Sequence, residues 1–187
     1  MWDKNQKTLS NETSFSGIGL HSGEKVEVKL IPTNSNSGII FKRTDLKKNN
    51  EIVANFKNVS SAKLCTKIEN DFGTSVSTIE HLMAAFYFCG VDNIIVALDG
   101  PEVPIMDGSA KDFVEIIKNC GLKTLKGKRK FVKIKNKVEL KEDDKFISIK
   151  PNSDFEVKFT LDYKKNPLIN TQTNKTNFKG KNLDDIC

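Results

Sequence analysis

The chain has 187 residues, 37% of them hydrophobic and 29% charged, and its 30 Lys+Arg against 24 Asp+Glu give a net charge of +6. That size and balance suit one full domain, or one and part of another, and exclude a chain disordered throughout. The positive excess fits either an anionic partner such as a phosphate or a plain basic surface rich in Lys and Asn.

The N-terminal Met1-Trp2-Asp3-Lys4-Asn5-Gln6-Lys7 is polar, without the apolar core of a signal peptide. The longest apolar run, Leu82 to Val91, falls well short of the roughly 20 residues a membrane span needs. Cys65, Cys89, Cys120 and Cys187 form no CxxC pair, which points to reduced thiols and a cytoplasmic location.

Gly17-Ile18-Gly19-Leu20-His21-Ser22-Gly23 is a glycine-punctuated turn ahead of a strand over 25–32, where Val26, Val28 and Leu30 alternate with charges. Further strands are predicted at 38–44, 52–59, 64–69 and 93–98, the last an almost unbroken apolar run suited to a buried central strand. A first helix carries Ile79, Leu82, Met83, Phe86 and Tyr87 on one face and stops at Gly90. A second starts at a Ser109 cap with Asp112 in the capping-box position, carries Phe113, Val114, Ile117 and Cys120 as its apolar stripe, and closes at Gly121. Thr124 to Lys130 reads as a basic connector. Beyond it, 131–140 and 145–150 suggest a hairpin around Glu142-Asp143-Asp144, and 155–163 alternates cleanly with Phe155, Val157, Phe159, Leu161 and Tyr163 on one face. No amphipathic helix follows to cover that face, and such a sheet is not stable by itself. The pattern is α+β.

The chemistry concentrates at the first helix start, Ser77-Thr78-Ile79-Glu80-His81-Leu82. With Ser77 as N-cap, Glu80 either reaches back to the Ser77 amide in a capping box or serves as a general base. His81 is either a half-buried helix residue or a metal ligand, since a neutral imidazole holds a divalent cation and a neighbouring carboxylate can take a proton from water. Adjacent helical residues point about 100° apart, so Glu80 need not bind the ion that His81 binds. A catalytic zinc usually takes about three protein ligands. The other histidine, His21, reads as a turn residue bonded to its own backbone, and Cys65 and Cys89 read as core thiols. In the stiff loop 100–108, Glu102 and Asp107 can fix the loop to the helix start at Ser109. There is no phosphate-binding glycine fingerprint and no aromatic pattern of an RNA-recognition sheet.

Taken in order, the glycine turn at 17–23, Phe41-Lys42-Arg43-Thr44-Asp45-Leu46, Leu64-Cys65-Thr66, Ser77–Leu82 and Pro101-Glu102-Val103-Pro104-Ile105-Met106-Asp107-Gly108-Ser109 resemble the UDP-3-O-acyl-N-acetylglucosamine deacetylases of lipid A biosynthesis. The resemblance runs from about Lys7 to about Tyr163. It implies a two-domain sandwich, each domain a mostly antiparallel sheet, with helices packed between the sheets. It implies removal of the N-acetyl group from UDP-3-O-acyl-N-acetylglucosamine, with zinc (iron(II) as the alternative ion) on His81 and Glu80 as general base. It further implies that Lys145, Asp162 and Tyr163 hold the UDP portion, through phosphate charge, uracil donors and ring stacking, and that Leu20, Leu64 and Cys65 line the reaction centre. Tyr163 stands where a phenylalanine is common in the family.

The family's other zinc ligands, a histidine and an aspartate one helical turn apart, and its catalytic histidine fall in the later part of its second domain, beyond Cys187. The expectation is therefore a first domain over 1–124, a connector over 125–130 and a partial second domain over 131–187. Such a fragment lacks the remaining ligands and is inactive alone, a separate chain being one source of the missing part. No nucleic-acid partner is expected. The competing reading is a non-catalytic UDP-sugar or nucleic-acid binding module derived from the same fold.

Overall fold

The computed structural model describes residues 3–164 and 166–178. Cys187 and the end of the predicted second domain lie outside the described residues. The chain is α+β, mostly antiparallel sheet with two helices, and divides into two compact units between Arg129 and Lys130.

In the first unit the strands are β1 (Asn5–Leu9), β2 (Thr13–Ile18), β3 (Lys25–Pro32), β4 (Ile39–Arg43), β5 (Glu51–Val53), β6 (Val59–Ser61), β7 (Lys67–Glu69), β8 (Ser75–Val76), β9 (Ile94–Leu98) and β10 (Leu122–Lys128). The helices are α1 (Glu80–Cys89) and α2 (Lys111–Cys120). Five strands form one sheet in the order β2-β3-β9-β4-β5, antiparallel except where β4 runs parallel to β9. A three-stranded sheet, β6-β7-β8, and the antiparallel pair β1-β10 complete the unit. The alternation in β3 does what it predicts: Val26, Val28 and Leu30 are buried, and Val28 and Leu30 face Leu98 and Val96 across the ladder. They share a core with Leu82, Ala85 and Phe86 of α1 and Phe113, Val114 and Ile117 of α2, and Phe15 of β2 meets Phe113 edge-on at 5.4 Å. Each helix closes at its glycine in the left-handed φ region, Gly90 at 76° and Gly121 at 75°, where a side chain would be strained.

Several expectations are corrected. The strand read at 52–59 is two short strands in different sheets, separated by a 3-10 turn over Phe56–Asn58 that Asn55 caps through the Lys57 N–H. Of 64–69 only Lys67–Glu69 is extended, because Leu64 sits at φ 66°. The helix starts also shift. Ser77 forms a parallel bridge with Glu102 instead of capping α1, and α2 begins at Lys111 without a capping-box bond from Asp112. Ser109 still accepts the Lys111 N–H at 3.1 Å, one residue further out than a cap. Along α1, Tyr87 is largely exposed and Ala85 takes the buried position instead. The segment read as a connector from Thr124 is mostly strand, β10, whose partner β1 was not foreseen. The inward residues of β1 include Gln6 and Thr8, and a polar side chain facing the core leaves no hydrophobic alternation to read. Gln6 is satisfied by Asn36, Asn93 and the Lys128 carbonyl.

The second unit holds two hairpins. β11 (Val138–Glu142) pairs with β12 (Lys145–Ile149) through a two-residue turn whose first residue, Asp143, has φ 52°. The strand expected over 131–140 therefore begins only at Val138. β13 (Glu156–Tyr163) pairs residue for residue with β14 (Asn170–Asn177), a strand of Asn, Thr, Gln and Lys whose composition hid it. Val157, Phe159, Leu161 and Tyr163 remain exposed, as their alternation without a covering helix predicts.

One ion pair closes the first unit. Arg129 donates from Nε and Nη2 to the two oxygens of Asp92, at 2.7 and 2.6 Å, and from Nη2 to the Gly90 carbonyl at the end of α1. Asp92 Oδ2 also accepts the Lys7 N–H of β1 at 2.8 Å. Both side chains are largely shielded from water, so removing one strands the other. Replacing Asp92 by Ala is expected to destabilise the first unit by about 3 kcal/mol, read as a lower midpoint in urea unfolding with an unchanged slope.

Candidate active site

Three segments converge on the start of α1. Thr78 is a buried β-branched residue at φ 57°, a conformation that costs on the order of 1–3 kcal/mol and persists only when its surroundings impose it. Its neighbours do impose it. Ser77 N–H donates to the Pro101 carbonyl and Val103 N–H to the Ser77 carbonyl, so the loop after Gly100 runs alongside as a short ladder. The Thr78 hydroxyl donates to Glu102 Oε1 at 2.7 Å. Ile79 then turns into the helix, and its carbonyl accepts the first helical bond, from Met83.

Glu80, the first residue of α1, does not reach back to Ser77. Its Oε2 accepts the Thr66 N–H at 3.0 Å, while the Thr66 carbonyl accepts the Ile79 N–H at 3.4 Å. The capping-box reading is thereby replaced by a clamp between the helix start and the loop carrying Leu64 and Cys65. Among the described residues Glu80 Oε1 takes no hydrogen bond, and neither does the His81 imidazole, which is half-buried. Leu64 is 84% exposed and Cys65 is half-buried.

Glu102 is the residue whose role the sequence did not disclose. It is only 1% exposed and faces no cation; its charge is met by donors alone, the N–H groups of His21 and Ser22 at 2.8–3.1 Å and the Thr78 hydroxyl. Burial pushes its carboxyl upward, but the bonds from Thr78, Ser22 and His21 outweigh this and hold it below the ordinary value of 4.5. The carboxylate thus binds the turn carrying Leu20 and His21 to the residue two places before Glu80. Gly19 is part of the fit, because a Cβ there would lie 2.5 Å from Glu102 Oε2 and 2.2 Å from Ser22 Oγ. Only Asp107 does what both loop acids were expected to do, accepting the Ser109 N–H and hydroxyl at 2.8 Å.

The structure brings Glu80, His81 and the 64–66 loop to one helix start, with the Leu20 turn tied there through Glu102. Lys145, Asp162 and Tyr163 belong to the second unit. Lys145 opens β12 beside the turn, while Asp162 and Tyr163 end β13 in a separate hairpin. All three are exposed; Asp162 accepts the Thr171 hydroxyl at 2.7 Å and pairs with Lys164, and these bonds hold its carboxyl below the usual range. An open cleft of about 440 Å³, lined by Ser14, Ser16, Lys25, Glu27 and Asp99 among others, includes none of the candidate residues. No group of three or more His, Cys, Asp or Glu able to hold a metal occurs among the described residues. His81 fits as one ligand, and the described residues do not complete a metal site around it.

At this helix start, then, the Glu80 carboxylate keeps one oxygen open and the neighbouring His81 imidazole takes no hydrogen bond among the described residues. Residues 6–186 match the family model described as UDP-3-O-acyl N-acetylglycosamine deacetylase, and the chain belongs to that family. Relatives bearing the name UDP-3-O-acyl-N-acetylglucosamine deacetylase include one from Geotalea uraniireducens, 43% identical over 96% of this chain and 58% of its own length. One from Aliivibrio fischeri is 40% identical over 92% and 56%, and one from Blochmanniella pennsylvanica is 41% identical over 90% and 56%. The chain thus spans a little over half the length of these curated relatives. No helix among the described residues is long and apolar enough to cross a membrane.

Glu102→Gln keeps the volume but turns an amide toward three donors, and is expected to cost about 3 kcal/mol. A carboxyl held below its ordinary value stabilises fully above that value, and its contribution drains away as pH falls through the lower folded one. Thermal midpoints measured from neutral pH downward should decline more gently for E102Q than for the unaltered chain.

Proposed function

We propose that this chain supplies the base and one metal ligand of a zinc-dependent deacetylase acting on UDP-3-O-acyl-N-acetylglucosamine in lipid A biosynthesis. The observation that carries the reading is the pair at the start of α1: Glu80 anchored through Oε2 to Thr66 with Oε1 open, and His81 with its imidazole unengaged. Family membership supports the substrate and the reaction.

Zinc, or iron(II) in its place, would be held in part by His81 and would supply Lewis acidity toward the acetyl carbonyl. Glu80 takes a proton from the attacking water at Oε1, while the Thr66 N–H on Oε2 fixes the carboxylate's angle. Water oxygen joins the acetyl carbon, the C–N bond breaks as the proton taken up from water is returned to the sugar nitrogen, which leaves as an amine, and acetate is released. Leu20, Leu64 and Cys65 line the reacting group, the two leucines offering exposed apolar surface. In the second unit Lys145 meets phosphate charge, Asp162 meets uracil donors and Tyr163, 54% exposed, presents a ring face for stacking. The comparisons give no support to a separate chain as the source of the remaining ligands.

Because the described residues form no cluster of three ligands, the 187-residue polypeptide alone is expected to bind zinc weakly and to release no acetate above the buffer rate. Isothermal titration and an acetate assay check both; tight one-to-one zinc with turnover would overturn the half-site. His81→Ala should abolish the weak zinc signal and Glu80→Gln should leave it intact. Equal zinc binding by the unaltered chain and the His81 variant would remove the ligand assignment.

A further inference from the structure

The positive charge of this chain is not spread over it. Eight of the 30 Lys+Arg lie within residues 122–137, a stretch with no acid, and the remaining residues carry 22 basic against 24 acidic groups. The net charge of +6 therefore arises entirely in that stretch. Its second half, 130–137, belongs to the second unit and forms neither helix nor strand. There Lys130, Lys133 and Lys135 are exposed and make no ion pair among the described residues, while Lys137 pairs with Glu139. Between them Phe131 is 59% exposed and Val132 is 90% exposed.

We propose that residues 130–137 are a docking segment for a bilayer surface bearing anionic headgroups. Lysines attract such a surface, and their methylene stems let the ammonium groups stay at headgroup level while neighbouring apolar side chains enter the boundary. That is the reason to choose a bilayer over a nucleic acid. Phosphates of RNA would engage the lysines, but an exposed valine gains nothing from a phosphate backbone, and one phenylalanine is no stacking platform. An irregular segment can also lay both residue types on one plane, because no pleat sends alternate side chains to opposite sides. The assignment stands on this segment alone, independent of the deacetylase reading.

The test is sedimentation of the 187-residue chain with vesicles of mixed phosphatidylglycerol and phosphatidylcholine, against vesicles of pure phosphatidylcholine. The chain should partition onto the anionic vesicles, less so as salt rises, and each lysine removed should lower the partition coefficient roughly fivefold. K130Q/K133Q/K135Q together should therefore lower it about a hundredfold. F131S/V132S, which leaves every charge in place, should weaken vesicle binding but not the residual attraction of the lysines to single-stranded RNA. Circular dichroism and thermal midpoints unchanged in both variants tie the losses to the segment. Equal binding to neutral vesicles overturns the proposal, as does full binding by the triple-lysine variant. Tight RNA binding indifferent to F131S/V132S, without vesicle binding, assigns the segment to nucleic acid instead.

Discussion

A carboxylate sealed from water with no cation beside it holds the candidate site together. Glu102 meets its charge with two backbone N–H groups and one hydroxyl, an arrangement in which oriented dipoles replace a counterion. The direction of those donors matters more than their number. The amides come from the turn at 21–22 and the hydroxyl from Thr78, so a single anion fixes two segments that are 56 residues apart in the chain. Thr78 cannot relax from its left-handed conformation without giving up that bond, and Glu80 follows two residues later. The start of α1, with Glu80 and His81, thus inherits its position from a carboxylate on a different loop.

Much of the scaffold was legible because hydrophobic alternation reports one-sided burial. β3 and β9 lie within a residue of their predicted bounds, and both helices close at the glycines that punctuate them. What the pattern missed shares a cause. β1 turns Gln6 and Thr8 inward, β10 turns inward a leucine and a glycine, and β14 carries no apolar residue at all. Each is held by backbone pairing to a partner strand, and backbone bonds leave no trace in side-chain alternation. The helix starts failed differently. Ser77 has the composition of a cap, yet the loop after Gly100 claims its backbone as a strand partner first, a tertiary demand that overrides local preference.

For the site itself, Glu80 and His81 stood out as residue types at a helix start, whereas Glu102 did not. Its signal lay in the company of Gly19, since a glycine that no turn conformation explains often marks a close approach by another group. Nothing local to 17–23 or to 100–108 says that the one approaches the other. The second unit is less informative because its strands form hairpins with both faces largely in water. Alternation there shows which face is apolar without showing what meets it.

The pairing of β1 with β10 has a temporal side. Asn5 waits opposite Lys128, so during synthesis the first strand leaves the ribosome more than a hundred residues before its partner exists. Until then the backbone groups that β1 pairs with β10, and the Gln6 bond to the Lys128 carbonyl, have no mate, and loop closure over that span is slow. The first unit can therefore lock only when its last strand emerges. A pause in translation shortly before that point would prolong a half-made barrier against misassociation, with β1 as the exposed edge.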